Sequence, residues 1–147
     1  GNPDLIHRVA HVLVFNTNGE LFLQKRSQNK DVQPGKWDTS VGGHLDRGET
    51  YTEAAIREMK EELGIEPSET LFLYKYRHSN DYESEYVSTF KSIWDGPIQT
   101  NPEEIEEGRF WTLSEIEQSA ESGRFTPNFL DELKRYIEFS TANQEKR

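Results

Sequence analysis

Residues 6–15 put Val9, Leu13 and Phe15 on one side of an extended backbone and Ala10, Val12 and Val14 on the other. A strand apolar on both faces belongs in the middle of a sheet covered on both sides. Asn16-Thr17-Asn18-Gly19 supplies a hairpin turn, with glycine where a positive φ is needed, and Leu21-Phe22-Leu23 returns as the next strand. A basic run from Lys25 to Lys30 and a Pro34-Gly35 turn lead into a short strand at residues 37–41, which feeds a loop carrying Gly42 and Gly43. Glycine there lets the main chain approach closely, with a carbonyl toward a metal or an amide toward a phosphate.

The period then changes. Ala55, Ile56, Met59 and Leu63 recur at three- and four-residue steps, one apolar stripe to bury against the sheet. Thr50 or Thr52 caps the start of this helix, and Gly64 followed by Pro67 stops it. Residues 70–77 and 86–94 read as strands around a polar loop at 78–81, residues 100–107 as an acidic loop, and 109–112 as a short strand. Thr112-Leu113-Ser114-Glu115 has the form of a capping box opening a helix. The last helix, residues 128–139, carries Phe129, Leu130, Leu133, Tyr136 and Ile137 on one stripe, and the polar tail from Ser140 should fray.

On the first helix, Glu58, Glu61 and Glu62 stand at i, i+3 and i+4. Their carboxylates share one face within ~6 Å of rise. Like charges so close repel, and a cation between them is the natural remedy; hard divalent ions such as Mg²⁺ favour carboxylate oxygens and bind substrate phosphates at the same time. Arg57, four residues from both Glu53 and Glu61, can hold those side chains by ion pairing. The competing reading of these acids alone is a solvated surface face.

Spacing decides between them. Gly43, Glu49, Arg57-Glu58, an apolar Met59, Glu61-Glu62, Gly64 and an apolar Ile65 resemble the Nudix signature at every fixed position. The resemblance implies an α/β/α sandwich with a mixed sheet and a loop-helix-loop. It also implies Mg²⁺-assisted hydrolysis, with Mn²⁺ as a substitute, of a diphosphate joined to another moiety, by water attack on phosphorus. By the same resemblance Glu61 and Glu62 are metal ligands and Glu58 is a ligand or the acceptor of the water's proton. Gly42 or Gly43 contributes a carbonyl, Glu49 supports the loop or a second ion, and Arg57 orients the carboxylates. A further acid from a variable loop would come from Glu103, Glu104, Glu106 or Glu107.

A second resemblance is narrower. His7-Arg8, the run Leu23-Gln24-Lys25-Arg26 with Lys30 and Pro34-Gly35-Lys36-Trp37, then Ser40-Val41-Gly42-Gly43-His44 and Glu83-Ser84-Glu85 look like isopentenyl-diphosphate isomerase, a Nudix relative. It implies His7, His44, Glu83 and Glu85 as metal ligands and Arg26 and Lys30 on the diphosphate. Trp37 reads as a wall of the pocket, and so a substrate contact, or as a wall of the core. His7 and His11 share a strand face about 13 Å apart, too far to share one ion easily. The isomerase's catalytic Cys falls where this chain has Gly42, and the chain has no Cys at all. Another ligand His of that family lies upstream of His7, and none of the six residues here is His. The hydrolase box, which those isomerases degrade, is complete. The chain therefore reads as a hydrolase of the isomerase-like branch, with an isomerase or a non-catalytic ligand-binding module as alternatives; missing Cys argues against the first and the intact acids against the second.

Composition narrows the rest. A net charge of −10 argues against a nucleic-acid partner, whose backbone wants a basic face, while still allowing phosphates bridged by metal. With no Cys there is neither disulfide nor thiolate nucleophile. The absence of a long apolar run or signal-like start predicts a soluble, cytoplasmic protein, and the Gly-Asn-Pro opening suggests a trimmed N terminus. The 147 residues make one domain with room for a small-molecule diphosphate. A homodimer is left open, as is the substrate, whose selection would fall to residues 79–85 and 100–107.

Overall fold

A computed structural model describes residues 6–67, 69–79 and 84–145. Ten elements follow in order: β1 (Ile6–Phe15), β2 (Leu21–Arg26), β3 (Trp37–Asp38), β4 (Val41–His44), α1 (Tyr51–Leu63), β5 (Leu71–Ser79), β6 (Ser84–Ile93), β7 (Ile105–Trp111), α2 (Leu113–Gln118) and α3 (Pro127–Glu145). The strands form one mixed sheet in the order β3-β2-β1-β6-β5, with β4 added on β1 and β7 on β2. Only the β1–β6 pair is parallel among these ladders.

β1 is central, as its two apolar faces require. Ala10, Val12 and Val14 pack with Ala54, Ala55, Met59 and Leu63 of α1, whereas Leu13 and Phe15 pack with Ile116 of α2 and Phe129, Leu133 and Tyr136 of α3. The result is the expected α/β/α sandwich. Among the described residues no helix is long and apolar enough to cross a membrane.

The feature that makes a site is a split in the sheet. β1 and β2 pair at Phe15↔Leu21 and then diverge, while β4 enters alongside β1 and β3 stays with β2. Buried Ser40 bridges the gap: its hydroxyl accepts from Val14 N at 3.0 Å and donates to Phe22 O at 2.5 Å. The single strand expected over residues 37–41 is thus two, and Gly42 and Gly43 lie in β4 rather than in a loop.

Other boundaries differ for local reasons. α1 is capped by Thr50, not Thr52, in a reciprocal box with Glu53, and Gly64 closes it at φ 66°. Ala54 joins the buried stripe, while Ile56 turns outward at 46% exposure. β7 begins at Ile105, inside the stretch expected to be an acidic loop, because its acids face the basic end of β2; Lys25 opposes Glu107 and lies 3.3 Å from Glu106. β5 extends through His78 and Ser79, shortening the polar loop. α3 continues six residues beyond 139 to Glu145, so the expected helix end is corrected: no Gly or Pro interrupts 140–145, and Ala142 and Gln144 are good helix formers.

Candidate active site

β4 and the acidic face of α1 meet along the split. Glu62, partly buried, accepts from Gly42 N at 3.2 Å and from Gln24 Nε2 at 3.3 Å. Burial pushes its carboxyl up to about 8, the neighbouring Glu58 carboxyl adds to the rise, and the bonds from Gly42 and Gln24 oppose it. Two carboxylates this close cannot both be ionised without a counter-charge; a shared proton is one solution and a divalent ion is another. Gly43 is small for the same reason, since a Cβ there would stand 2.4 Å from the Glu58 carboxyl carbon. Gly43→Ala should therefore displace Glu58, the mobile partner, and leave the fold in place. The expected outcome is a melting temperature within about 3 °C of the parent and a kcat reduced by at least about tenfold, read by thermal shift and turnover.

Strand alternation assigns the backbone groups. The Gly42 amide and the His44 carbonyl both face α1, meeting Glu62 and Arg57, while Leu45 N turns to Arg8 O of β1. Groups of alternate residues point the same way, so the Gly42 carbonyl shares the α1-facing edge and that of Gly43 faces β1.

Arg57 is the hub. Its Nε and Nη2 bind the two Glu49 oxygens at 2.8 and 3.0 Å, Nη1 reaches Glu58 at 2.7 Å and Glu61 at 3.0 Å, and Nη2 donates to His44 O at 3.0 Å. Asp46 lies 3.3 Å from Nε. The guanidinium, then the Asp46 amide, hold Glu49 below the usual carboxylate range. Glu53, expected beside Arg57, instead accepts from Thr50 N in the helix cap. Among the described residues no three His, Asp or Glu side chains already stand as an ion cage; Glu58 and Glu61 are turned toward Arg57. The donor set nonetheless suits a hard cation, being carboxylate and carbonyl oxygen throughout. Glu58, Glu61 and Glu62 line one cleft of about 320 Å³ with Gly42 and Glu104.

A larger cleft of about 400 Å³ adjoins it, sharing Gln24, Gly42, Glu62, Glu104 and Ile105. Arg26 and Lys30 line it, Arg26 steadied by Val32 O at 3.0 Å and Asp38 at 3.5 Å. Of the four acids offered by the 100–107 stretch, Glu104 lines both clefts, whereas Glu106 is paired with Lys25. Trp37 is a correction: it is 8% exposed and packs edge-on to Trp111 in the core, away from the cleft wall, because β3 carries it to the face covered by α2 and α3.

The residues of the narrower resemblance converge at the other end of β4. His44 Nε2 is 3.6 Å from a Glu85 oxygen, the rings of His7 and His44 meet edge-on at 5.4 Å, and His7 opposes Glu85 across the β1–β6 ladder. Glu83 lies outside the described residues.

One buried acid escaped the sequence reading. Glu132 is 1% exposed and accepts from Tyr76 at 3.0 Å, from Thr89 at 3.1 Å and from the Tyr74 hydroxyl, and its Oε1 lies 2.8 Å from His11 Nδ1. Burial alone would raise its pKa, but His11, Tyr74 and Tyr76 carry it below the usual range. Burial and then the Glu132 charge push both tyrosines up. The signal was present: Phe129, Glu132, Leu133 and Tyr136 fall at i, i+3, i+4 and i+7, so the acid lies within the apolar stripe.

The NUDIX domain family model matches residues 5–133. The chain belongs to the Nudix family. It is 36% identical over 129 residues to an uncharacterised Nudix hydrolase of Listeria monocytogenes, covering 86% of this chain and 76% of that one. It is also 32% identical over 123 residues to isopentenyl-diphosphate Delta-isomerase 1 of Photorhabdus laumondii, covering 80% and 70%. Among solved structures, a Deinococcus radiodurans protein, DR0079, superposes with a TM-score of 0.76 at 29% identity over 92% of this chain and 86% of that one. A MutT protein of Methanosarcina mazei superposes at 0.77 and 21%, covering 97% and 99%, which speaks to the fold. This Nudix chain is a hydrolase with isomerase-like relatives, in a family of the pyrophosphohydrolase type that acts on small molecules and generally uses divalent cations.

Proposed function

We propose that this Nudix hydrolase cleaves a diphosphate linkage in a nucleoside-diphosphate-type or other substituted diphosphate with Mg²⁺, Mn²⁺ substituting. The observation that supports it best is the meeting of Glu58 and Glu62 beside the α1-facing edge of Gly42, where among the described residues Arg57 is the counter-charge at hand. Glu61, Glu62 and the Gly42 carbonyl would hold the ion, with Glu58 as a further ligand or as the acceptor of the water's proton. Bound there, the ion would lower the pKa of the attacking water and neutralise charge on the phosphate oxygens. Glu49 and Arg57 orient these acids: Arg57 clamps the His44 carbonyl at the end of β4 and the helix acids in one fork. Arg26 and Lys30, on the wall of the larger cleft, would take up the charge of the diphosphate.

A second reading draws on His7, His44 and Glu85, which lie near one another without already standing as an ion cage. The isomerase chemistry itself lacks its nucleophile, for Gly42 holds the place of the Cys. The experiment is a panel of diphosphate compounds, including prenyl diphosphates, with and without Mg²⁺ or Mn²⁺, read for released phosphate and, by NMR, for allylic product. Metal-dependent release from at least one member is expected; allylic product would favour the isomerase, and binding without turnover would favour a ligand-binding module.

A further inference from the structure

We infer that His11, oriented by Glu132, touches the substrate through Nε2 at the floor of the larger cleft and reads a polar atom in its non-phosphate half. The inference rests on the reading of that cleft as the diphosphate site.

His11 occupies an odd position of β1, on the face where Val9, Leu13 and Phe15 are buried. A polar ring there needs partners. An ionised carboxylate only accepts, so the 2.8 Å bond to Glu132 puts the hydrogen on Nδ1. Nε2 is then turned away from α3. Its edge of the ring lies against Gly42: a Cβ on Gly42 would stand 3.0 Å from Cδ2 and 3.4 Å from Nε2. The ring is thus set under the residue whose amide holds Glu62. His11 and Glu132 both line the cleft, and among the described residues Nε2 makes no hydrogen bond.

Glu132 is fixed more thoroughly than a stabilising contact requires. Tyr76 and Thr89 at 3.0 and 3.1 Å, with Tyr74, already satisfy both oxygens, so the carboxylate is immobile before His11 is counted. A buried acid held so tightly costs desolvation that an apolar side chain would avoid. Its effect is a single orientation and a single tautomer for His11, the arrangement by which an imidazole nitrogen is presented at a fixed place. Asn128, exposed at the head of α3, lines the same cleft. A group whose hydroxyl or amide N–H donates to Nε2 would satisfy the imidazole, whereas a hydrocarbon chain would leave it unpaired.

Asparagine places its amide nitrogen where Nδ1 stands and reaches no further. His11→Asn should therefore keep the bond to Glu132 and remove only Nε2. On the best-cleaved compound of the panel we expect a loss of at least about 30-fold in kcat/KM, with a melting temperature within about 2 °C. Glu132→Gln should cost at least about tenfold alone and less than about twofold in the His11→Asn background. A loss under threefold in His11→Asn, or an equal cost of Glu132→Gln with and without His11, overturns the inference. Imidazole ¹⁵N spectra with Mg²⁺ and the panel compounds separate it from the reading it rests on. Movement of Nε2 without cleavage sustains the contact while the hydrolase reading falls, and an Nε2 that stays still with every compound overturns the contact.

Discussion

Glu62→Gln should reduce kcat by about 10³-fold, roughly 4 kcal/mol of barrier, while leaving the folded protein at least as stable. The two halves come from the same geometry. Glu62 sits between Gly42 N and Gln24 Nε2 with the Glu58 carboxyl alongside, and glutamine keeps the shape while losing the charge that would hold a divalent ion. Without metal that charge is a burden. Its pKa rises on folding from 4.5 to about 8, so the folded state binds its proton more tightly than the unfolded chain does. The associated stability is full below pH 4.5 and is lost as pH climbs through 8. In a chelator, the melting temperature of the parent should fall between pH 6 and pH 9, and that of Glu62→Gln should be flat by comparison. Mg²⁺ should restore the parent at pH 9 and do nothing for the variant. Thermal melts at the two pH values, with and without the ion, check each statement.

Arg57→Ala should cost about 10²-fold in kcat/KM and only about 1 kcal/mol of stability, roughly 3 °C. The guanidinium joins Glu49, Glu58, Glu61 and the His44 carbonyl in one fork, so its loss frees three acids and the end of β4 together. Stability suffers less because the arrangement is open to solvent on one side; Glu61 is 59% exposed. Arg57→Lys should recover little of the activity, since one ammonium cannot reproduce a planar fork reaching four partners. Recovery above half of the parental kcat/KM would show that charge alone suffices and that the orienting role is wrong.

The layers of the fold were readable because they rest on local period. β1 declared its central place through two apolar faces, and the capping box at Thr112 and Thr50, one of two candidate caps, mark helix starts that the structure keeps. The split between β3 and β4 was not readable. It depends on where β1 and β2 part and on Ser40 filling the gap, which are contacts between segments distant in sequence. The same limit applies to Arg57. Helical spacing pointed to Glu53 and Glu61, yet the nearest acid at Nε is Glu49, eight positions earlier in the preceding loop, while Glu53 serves the helix cap. Trp37 could wall the pocket or the core on its neighbours in sequence, and the direction of β3 took it into the core. Glu132 was overlooked because the stripe was traced through apolar residues alone, though its i+3 spacing from Phe129 already implied burial.

The most direct test of the account is an anomalous-scattering map from crystals grown with Mn²⁺ and a methylene-bridged diphosphate. The account predicts a peak within about 2.5 Å of carboxylate oxygens of Glu61 and Glu62 and of the Gly42 carbonyl, absent in Glu62→Gln. A peak confined to His7, His44 and Glu85, or one that survives Glu62→Gln unchanged, would contradict it.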